Sequence, residues 1–181
     1  MSIVAISGSP SASSRSAELL RHVLARFADD TPRTEIALRE LPAVALVRAD
    51  FADAAIRQAI AQVVEARLVL VATPIYKAAY SGLLKTFLDL LPQDALRGKT
   101  VLAIGTGGSS AHLLALDYAL KPVLAALGAR HILDTVYAVD AQLAARADGG
   151  YVVHGDVAAR AGRALAEGPF PLREAPLALA A

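Results

Sequence analysis

The chain has 181 residues, 55% hydrophobic and 19% charged, with a net charge of +1 and no cysteine. That supports one globular domain with a proper core and excludes a disordered chain. Near-neutral charge without a Lys/Arg cluster argues against a nucleic-acid surface and an acidic electron carrier. The missing cysteines rule out disulfides, thiolate metal sites and cysteine nucleophiles.

No apolar run approaches the ~20 residues of a membrane span. The run Ile3–Ile6 ends at Ser7-Gly8, too early for a signal peptide. A cytoplasmic protein without membrane or nucleic-acid partners is therefore expected.

Residues 3–6, Ile-Val-Ala-Ile, read as a buried strand, followed by the hydroxyl-rich turn Ser9–Ser16. A helix follows, with Leu19, Leu20, Val23, Leu24 and Phe27 on one face and Ser14 as its N-cap. Residues 34–38 form a weak second strand, and 41–48 are irregular around Pro42. Asp50–Asp53 opens a helix carried on by Ile56, Ile60, Val63 and Val64.

A third strand over 67–72 leads into the loop Thr73–Ser81, then a helix over 82–91 that Pro92 ends. The fourth strand, 100–104, is followed by the glycine-rich loop Gly105–Ser110 and a long apolar helix over 111–127. The fifth strand spans 131–139. A polar, glycine-broken stretch fills 140–155, a last helix covers 156–166, and the tail from 168 to 181 is Pro-rich, extended or loosely docked.

Five β-α units imply an α/β fold with helices on both faces of a parallel sheet. The length fits a flavodoxin-like three-layer sandwich, a five-stranded sheet of order 2-1-3-4-5, with the domain over 1–167. In that topology the loops after strands one, three and four open on one edge.

The first loop suits a phosphate. A helix N-terminus offers unpaired N–H groups, Ser9, Ser14 and Ser16 add hydroxyls, and Arg15 adds charge. The same composition also serves as a plain turn and N-cap. The second loop suits a flat, polar-edged ring: Pro74 stiffens it, Tyr76 and Tyr80 offer stacking, and backbone groups over Ile75–Lys77 can meet ring atoms. In the third loop Thr106, Gly107 and Gly108 allow close backbone approach. A capped βα loop and a tight turn remain the alternatives for these two.

Sharper motifs fail. Gly98-Lys99-Thr100 resembles the end of a P-loop, but Gln93 stands where the leading glycine belongs. The four histidines have no ligand spacing, so no metal is expected. No acid–base or nucleophile constellation stands out, so no catalytic side chain is assigned; this fits chemistry carried by a cofactor.

Pro122 lies well inside the 111–127 helix and clashes with the carbonyl of Tyr118. The helix must kink, split or widen there, and a π-bulge is one outcome. Helices 82–91 and 111–127 are apolar over most of their circumference, which predicts a homo-oligomer through them, a dimer or a tetramer of paired dimers.

Gly8–Ser16, Thr73–Gly82 with Leu84-Lys85, and Thr106–Gly108 resemble the NADPH-dependent FMN reductase family. The run Ala111–Leu124 resembles a narrower group, the flavin reductase component of two-component alkanesulfonate monooxygenases. The resemblance covers about residues 3–139.

It implies FMN phosphate at Ser9, Ser14, Arg15 and Ser16, and the isoalloxazine against Pro74, Ile75, Tyr76 and Lys77 and against Thr106, Gly107 and Gly108. It implies NADPH or NADH stacked on the flavin as hydride donor. The reduced FMN would then pass to a partner monooxygenase that desulfonates an organosulfonate. Tyr118 would lie at a subunit interface, on an irregular turn linked to flavin release. The competing expectations are a quinone, azo-dye or chromate reductase that keeps its FMN, a flavodoxin-type carrier, and a nucleotide-binding regulatory module.

Overall fold

The computed structural model describes residues 2–147 and 149–173. In chain order, β1 (Ile3–Ser7) is followed by α1 (Arg15–Leu24), β2 (Arg33–Ala37), α2 (Ala43–Arg48) and α3 (Ala54–Glu65). β3 (Leu68–Tyr76) turns back as β4 (Ala79–Tyr80) into α4 (Gly82–Leu88). β5 (Thr100–Gly107) leads through a π-helical turn, Leu116–Leu120, into α5 (Lys121–Ala126). β6 (His131–Ile132), β7 (Val136–Val139), β8 (Leu143–Ala145), β9 (Tyr151–Val153) and α6 (Gly155–Ala166) complete the set.

The parallel strands run β2-β1-β3-β5, with β6 and β7 both on the outer side of β5. This is the expected 2-1-3-4-5 order, with the fifth strand in two pieces. The break has a simple origin: Val101 pairs with Ile132, whereas Ile104 pairs with Val136. One extra residue is thus inserted between the pairs, and the strand bulges over residues 133–135.

β3 and β5 are buried on both faces, so their sequences are continuous apolar runs. Alternate side chains feed two cores. Val69 and Val71 pack with α3, α4 and α5; Leu68, Leu70 and Ala72 pack with α1 and α6. No helix of the described residues is long and apolar enough to cross a membrane.

Several elements differ from the sequence expectation. Residues 43–48, expected to be irregular, form α2, which ends where Ala49 turns left-handed at φ 52°. The helix expected over 82–91 ends at Leu88. The helix expected over 111–127 is instead a 3-10 turn (Ser110–His112), the π turn and α5. Pro122 sits in the first turn of α5, where its missing N–H is tolerated, and the wide turn lies just before it. Of the outcomes expected for the proline, widening and splitting are present together.

The polar stretch 140–155 holds the antiparallel β8–β9 hairpin. The first residues of the tail are docked. Phe170 meets Phe27 edge-on at 6.1 Å, Leu172 bridges to Phe27, and the Arg173 N–H donates to the Arg26 carbonyl at 2.7 Å. Positions 174–181 of the expected tail lie outside the described residues.

Candidate active site at the strand C-termini

The loop after β1 begins with a close approach. The Gly8 N–H donates to the Ala72 carbonyl at 2.8 Å, and a Cβ on Gly8 would lie 2.8 Å from the Leu84 Cβ. Only glycine passes there. Ser9 is buried, and its hydroxyl accepts from the Ser11 N–H at 3.2 Å. Ser14 caps α1 by accepting from the Ala17 N–H at 3.3 Å.

Thr73–Ser81, expected to be a loop, is a β-hairpin. β3 continues through Thr73 and Pro74, paired with Gly105 and Thr106, and β4 returns with Tyr80 opposite Ile75. Lys77 and Ala78 form the two-residue connection with φ of 51° and 63°. Two positive φ values define a type I′ turn, whose twist matches the flanking strands. The Ser81 N–H donates to Thr73 Oγ1 at 2.9 Å, closing the hairpin base.

β5 runs past the expected end, Ile104, to Gly107. A Cβ on Gly107 would lie 2.5 Å from the Tyr137 hydroxyl, which donates to the Ser109 carbonyl at 2.7 Å. Tyr137 thus props the glycine-rich end from beneath. Burial, then the Asp140 charge, holds its phenol above the usual tyrosine pKa.

These three strand ends enclose a cleft of about 230 Å³. Ser9, Ser14, Arg15, Pro74, Ile75, Tyr76, Thr106, Gly107 and Gly108 line it, as the sequence led one to expect. Two expected residues do not. Ser16 is fully buried behind Ser14, with the two hydroxyls 3.0 Å apart. Lys77 sits exposed at the hairpin tip. Three lining residues were not foreseen: Ser11, Ser13 and Asp140. Asp140 follows β7 directly, and the 2-1-3-4-5 order brings that strand end to the same edge, so topology held the signal.

Arg15 dominates the electrostatics. Its guanidinium lies 3.6 Å from the Asp140 carboxylate and 4.9 Å from the centroid of the Tyr151 ring. Its Nε is buried and has no hydrogen-bond partner among the described residues. A buried cationic donor without an acceptor is costly. A larger apolar groove of about 560 Å³, between Phe51, α3 and Leu90–Pro92, lies away from the strand ends.

Comparison with known proteins identifies the family. Residues 1–144 match the family described as NADPH-dependent FMN reductase. An FMN reductase (NADPH) of Escherichia coli strain K12 is 46% identical over 144 residues, covering 79% of this chain and 75% of that protein. A NADH-dependent FMN reductase, SfnE, of Pseudomonas putida is 35% identical over 150 residues, covering 80% of each. The crystal structure of an NADH:FMN oxidoreductase (EMOB) in its apo form superposes with a TM-score of 0.82 at 44% identity, covering 97% of this chain and 91% of that one. The chain belongs to the NADPH-dependent FMN reductase family, as an oxidoreductase with FMN and a reduced nicotinamide as its reactants.

Proposed function

We propose that the enzyme treats FMN as an exchangeable substrate and hands reduced FMN to a partner flavin-dependent monooxygenase that desulfonates an organosulfonate. The observation that carries the exchange is the size of the cleft. At about 230 Å³ it falls below the ~300–1,000 Å³ usual for sites that engulf a small molecule. This chain alone encloses only part of an FMN, which favours release. The monooxygenase partner rests on the resemblance of Ala111–Leu124 to the reductases of such systems.

The residues present fit FMN. The phosphate goes to the N-terminus of α1, where Arg15 has an orphaned Nε and Ser9, Ser11 and Ser13 line the cleft. Pro74, Ile75 and Tyr76 form one wall for the ring, and Thr106, Gly107 and Gly108 the other. Ser14 and Ser16 support the loop through their mutual bond, while Lys77, exposed at the hairpin tip, lies outside the cleft lining. Backbone N–H groups of Gly107 and Gly108 stabilise negative charge at a ring edge. When bound, FMN supplies the hydride acceptor, so positioning and electrostatics suffice and no acid–base side chain is required.

We place a subunit interface on α4 and the segment from His112 to Ala126. Leu113, Leu114 and Tyr118 are large side chains exposed there, Tyr118 to 78%. Tyr118 stands on the π turn, which makes that turn the element through which assembly reaches flavin release.

The test is steady-state oxidation of NADPH and NADH with FMN, FAD, riboflavin and a quinone as acceptors. A colourless protein that turns over only with added FMN, and that supports sulfite release by an alkanesulfonate monooxygenase, is expected. A yellow protein that reduces quinone without added flavin would overturn the proposal.

A further inference from the structure

Tyr151 lies beyond residues 1–144, the stretch that the family model matches. It nevertheless touches the phosphate end of the cleft twice. Its hydroxyl is 3.2 Å from Ser13 Oγ, and its ring faces the Arg15 guanidinium at 4.9 Å. We infer that Tyr151 is a positioning residue: it holds Arg15 and Ser13 in place for the ligand's phosphate. The inference rests on the reading that this loop takes that phosphate.

The hairpin that carries Tyr151 is fixed to the sheet. Tyr151 pairs with Ala145 across β8–β9, and the connection closes through Gly149 and Gly150 at φ 91° and 77°. Leu143 is fully buried, the His154 N–H donates to the Gln142 carbonyl at 2.9 Å, and the Val139 N–H donates to Gln142 Oε1 at 3.0 Å. The ring is therefore a rigid platform at a set distance from the end of β7.

Arg15 has need of one. A long flexible cation loses rotamer freedom when it binds an anion, and a preset guanidinium loses less. Asp140 pulls it from one side at 3.6 Å, and the aromatic face holds it from another. A second cavity of about 440 Å³ lies beyond Ser13 and Ser14, with Tyr151 in its lining. Both serines border the two spaces, and loss of the ring enlarges the second one and removes the face that Arg15 packs against, giving Arg15 room to swing away.

The experiment is a cycle of Tyr151→Leu, Arg15→Ala and the double variant, each assayed for kcat and KM with FMN and with riboflavin. Tyr151→Leu is expected to raise the FMN KM about tenfold, the scale of a partly desolvated cation–π contact. Riboflavin KM and kcat with either flavin stay unchanged, which also shows that the variant is folded. In the Arg15→Ala background, Tyr151→Leu costs only what the Ser13 contact contributes, within about threefold. Tyr151→Phe keeps the ring, loses only the Ser13 contact, and stays within about threefold of the parent.

Equal KM rises for FMN and riboflavin, no change at all, or a full additional loss in the Arg15→Ala background each overturn the inference. If Tyr151→Leu fails to fold, Tyr151→Met, which keeps bulk without an aromatic face, is judged by the same outcomes. A different result marks failure of the underlying reading: an unmodified enzyme that takes riboflavin as well as FMN, or an Arg15→Ala variant with unchanged FMN KM.

Discussion

The Ser81 hydroxyl donates to the Gly8 carbonyl, so one side chain ties the loop after β1 to the base of the β3–β4 hairpin. The same oxygen accepts from the Leu84 N–H at 3.1 Å and caps α4. Ser81→Ala removes a buried cross-loop bond and an N-cap together. A loss of about 1–2 kcal/mol is expected, as a lower urea midpoint with unchanged slope. A midpoint equal to the parent's would show that the bond contributes nothing.

Gly107→Ala puts a methyl group where only 2.5 Å separates it from the Tyr137 hydroxyl. The phenol must leave the Ser109 carbonyl or the end of β5 must shift. Lower thermal stability and weaker FMN binding are expected. Tyr137→Phe, by removing the clashing oxygen, should restore part of both. Melting curves and fluorescence titration of the single and double variants decide it; purely additive losses would count against the contact.

Ala78 holds φ 63° at the hairpin tip, where glycine is the favoured residue. The left-handed region costs an alanine roughly 1–2 kcal/mol, while glycine gives back about 0.5–1 in chain entropy. Ala78→Gly should therefore raise stability by up to about 1 kcal/mol in chemical denaturation. A drop would mean that the alanine methyl has packing worth more than the strain.

Burial first, then the neighbouring Arg26 charge, lowers the pKa of His22 below 6.5, against an opposing pull from Glu18. Its Nε2 is buried without a hydrogen-bond partner among the described residues. The unfolded state then binds a proton more readily than the folded one, so stability is full above pH 6.5 and falls as pH drops through the folded pKa. His22→Leu should flatten that acid limb of the denaturation midpoint. An identical slope in parent and variant would remove His22 as the cause.

The alternation of strands and helices was plain in the residues because Ile3–Ile6, Leu68–Ala72 and Val101–Ile104 are buried on both sides and carry no polar alternation. The hairpin was hidden for two reasons. Pro74 suggested a loop, but it lies past Ala72, the last residue paired with β1, where β3 has a parallel neighbour on one side only. Lys77-Ala78 lacks the Asn-Gly signal of a type I′ turn. Pro122 announced a break in the helix, yet nothing local says how a wide turn and a fresh helix share it. β8 and β9 are three-residue strands held by tertiary packing, and Gly149-Gly150 was their sole local mark.

Phe27, just past the end of α1, is completely buried, and part of its cover comes from Phe170 and Leu172. During synthesis Phe27 leaves the ribosome early and its cover late. The face built on α1 must therefore wait, with apolar surface exposed, until α6 and the following residues emerge. The face built on α3, α4 and α5 can close sooner, so the nascent chain is expected to hold one finished side and one sticky side. Chaperone engagement, if the chain needs it, belongs to the α1 side.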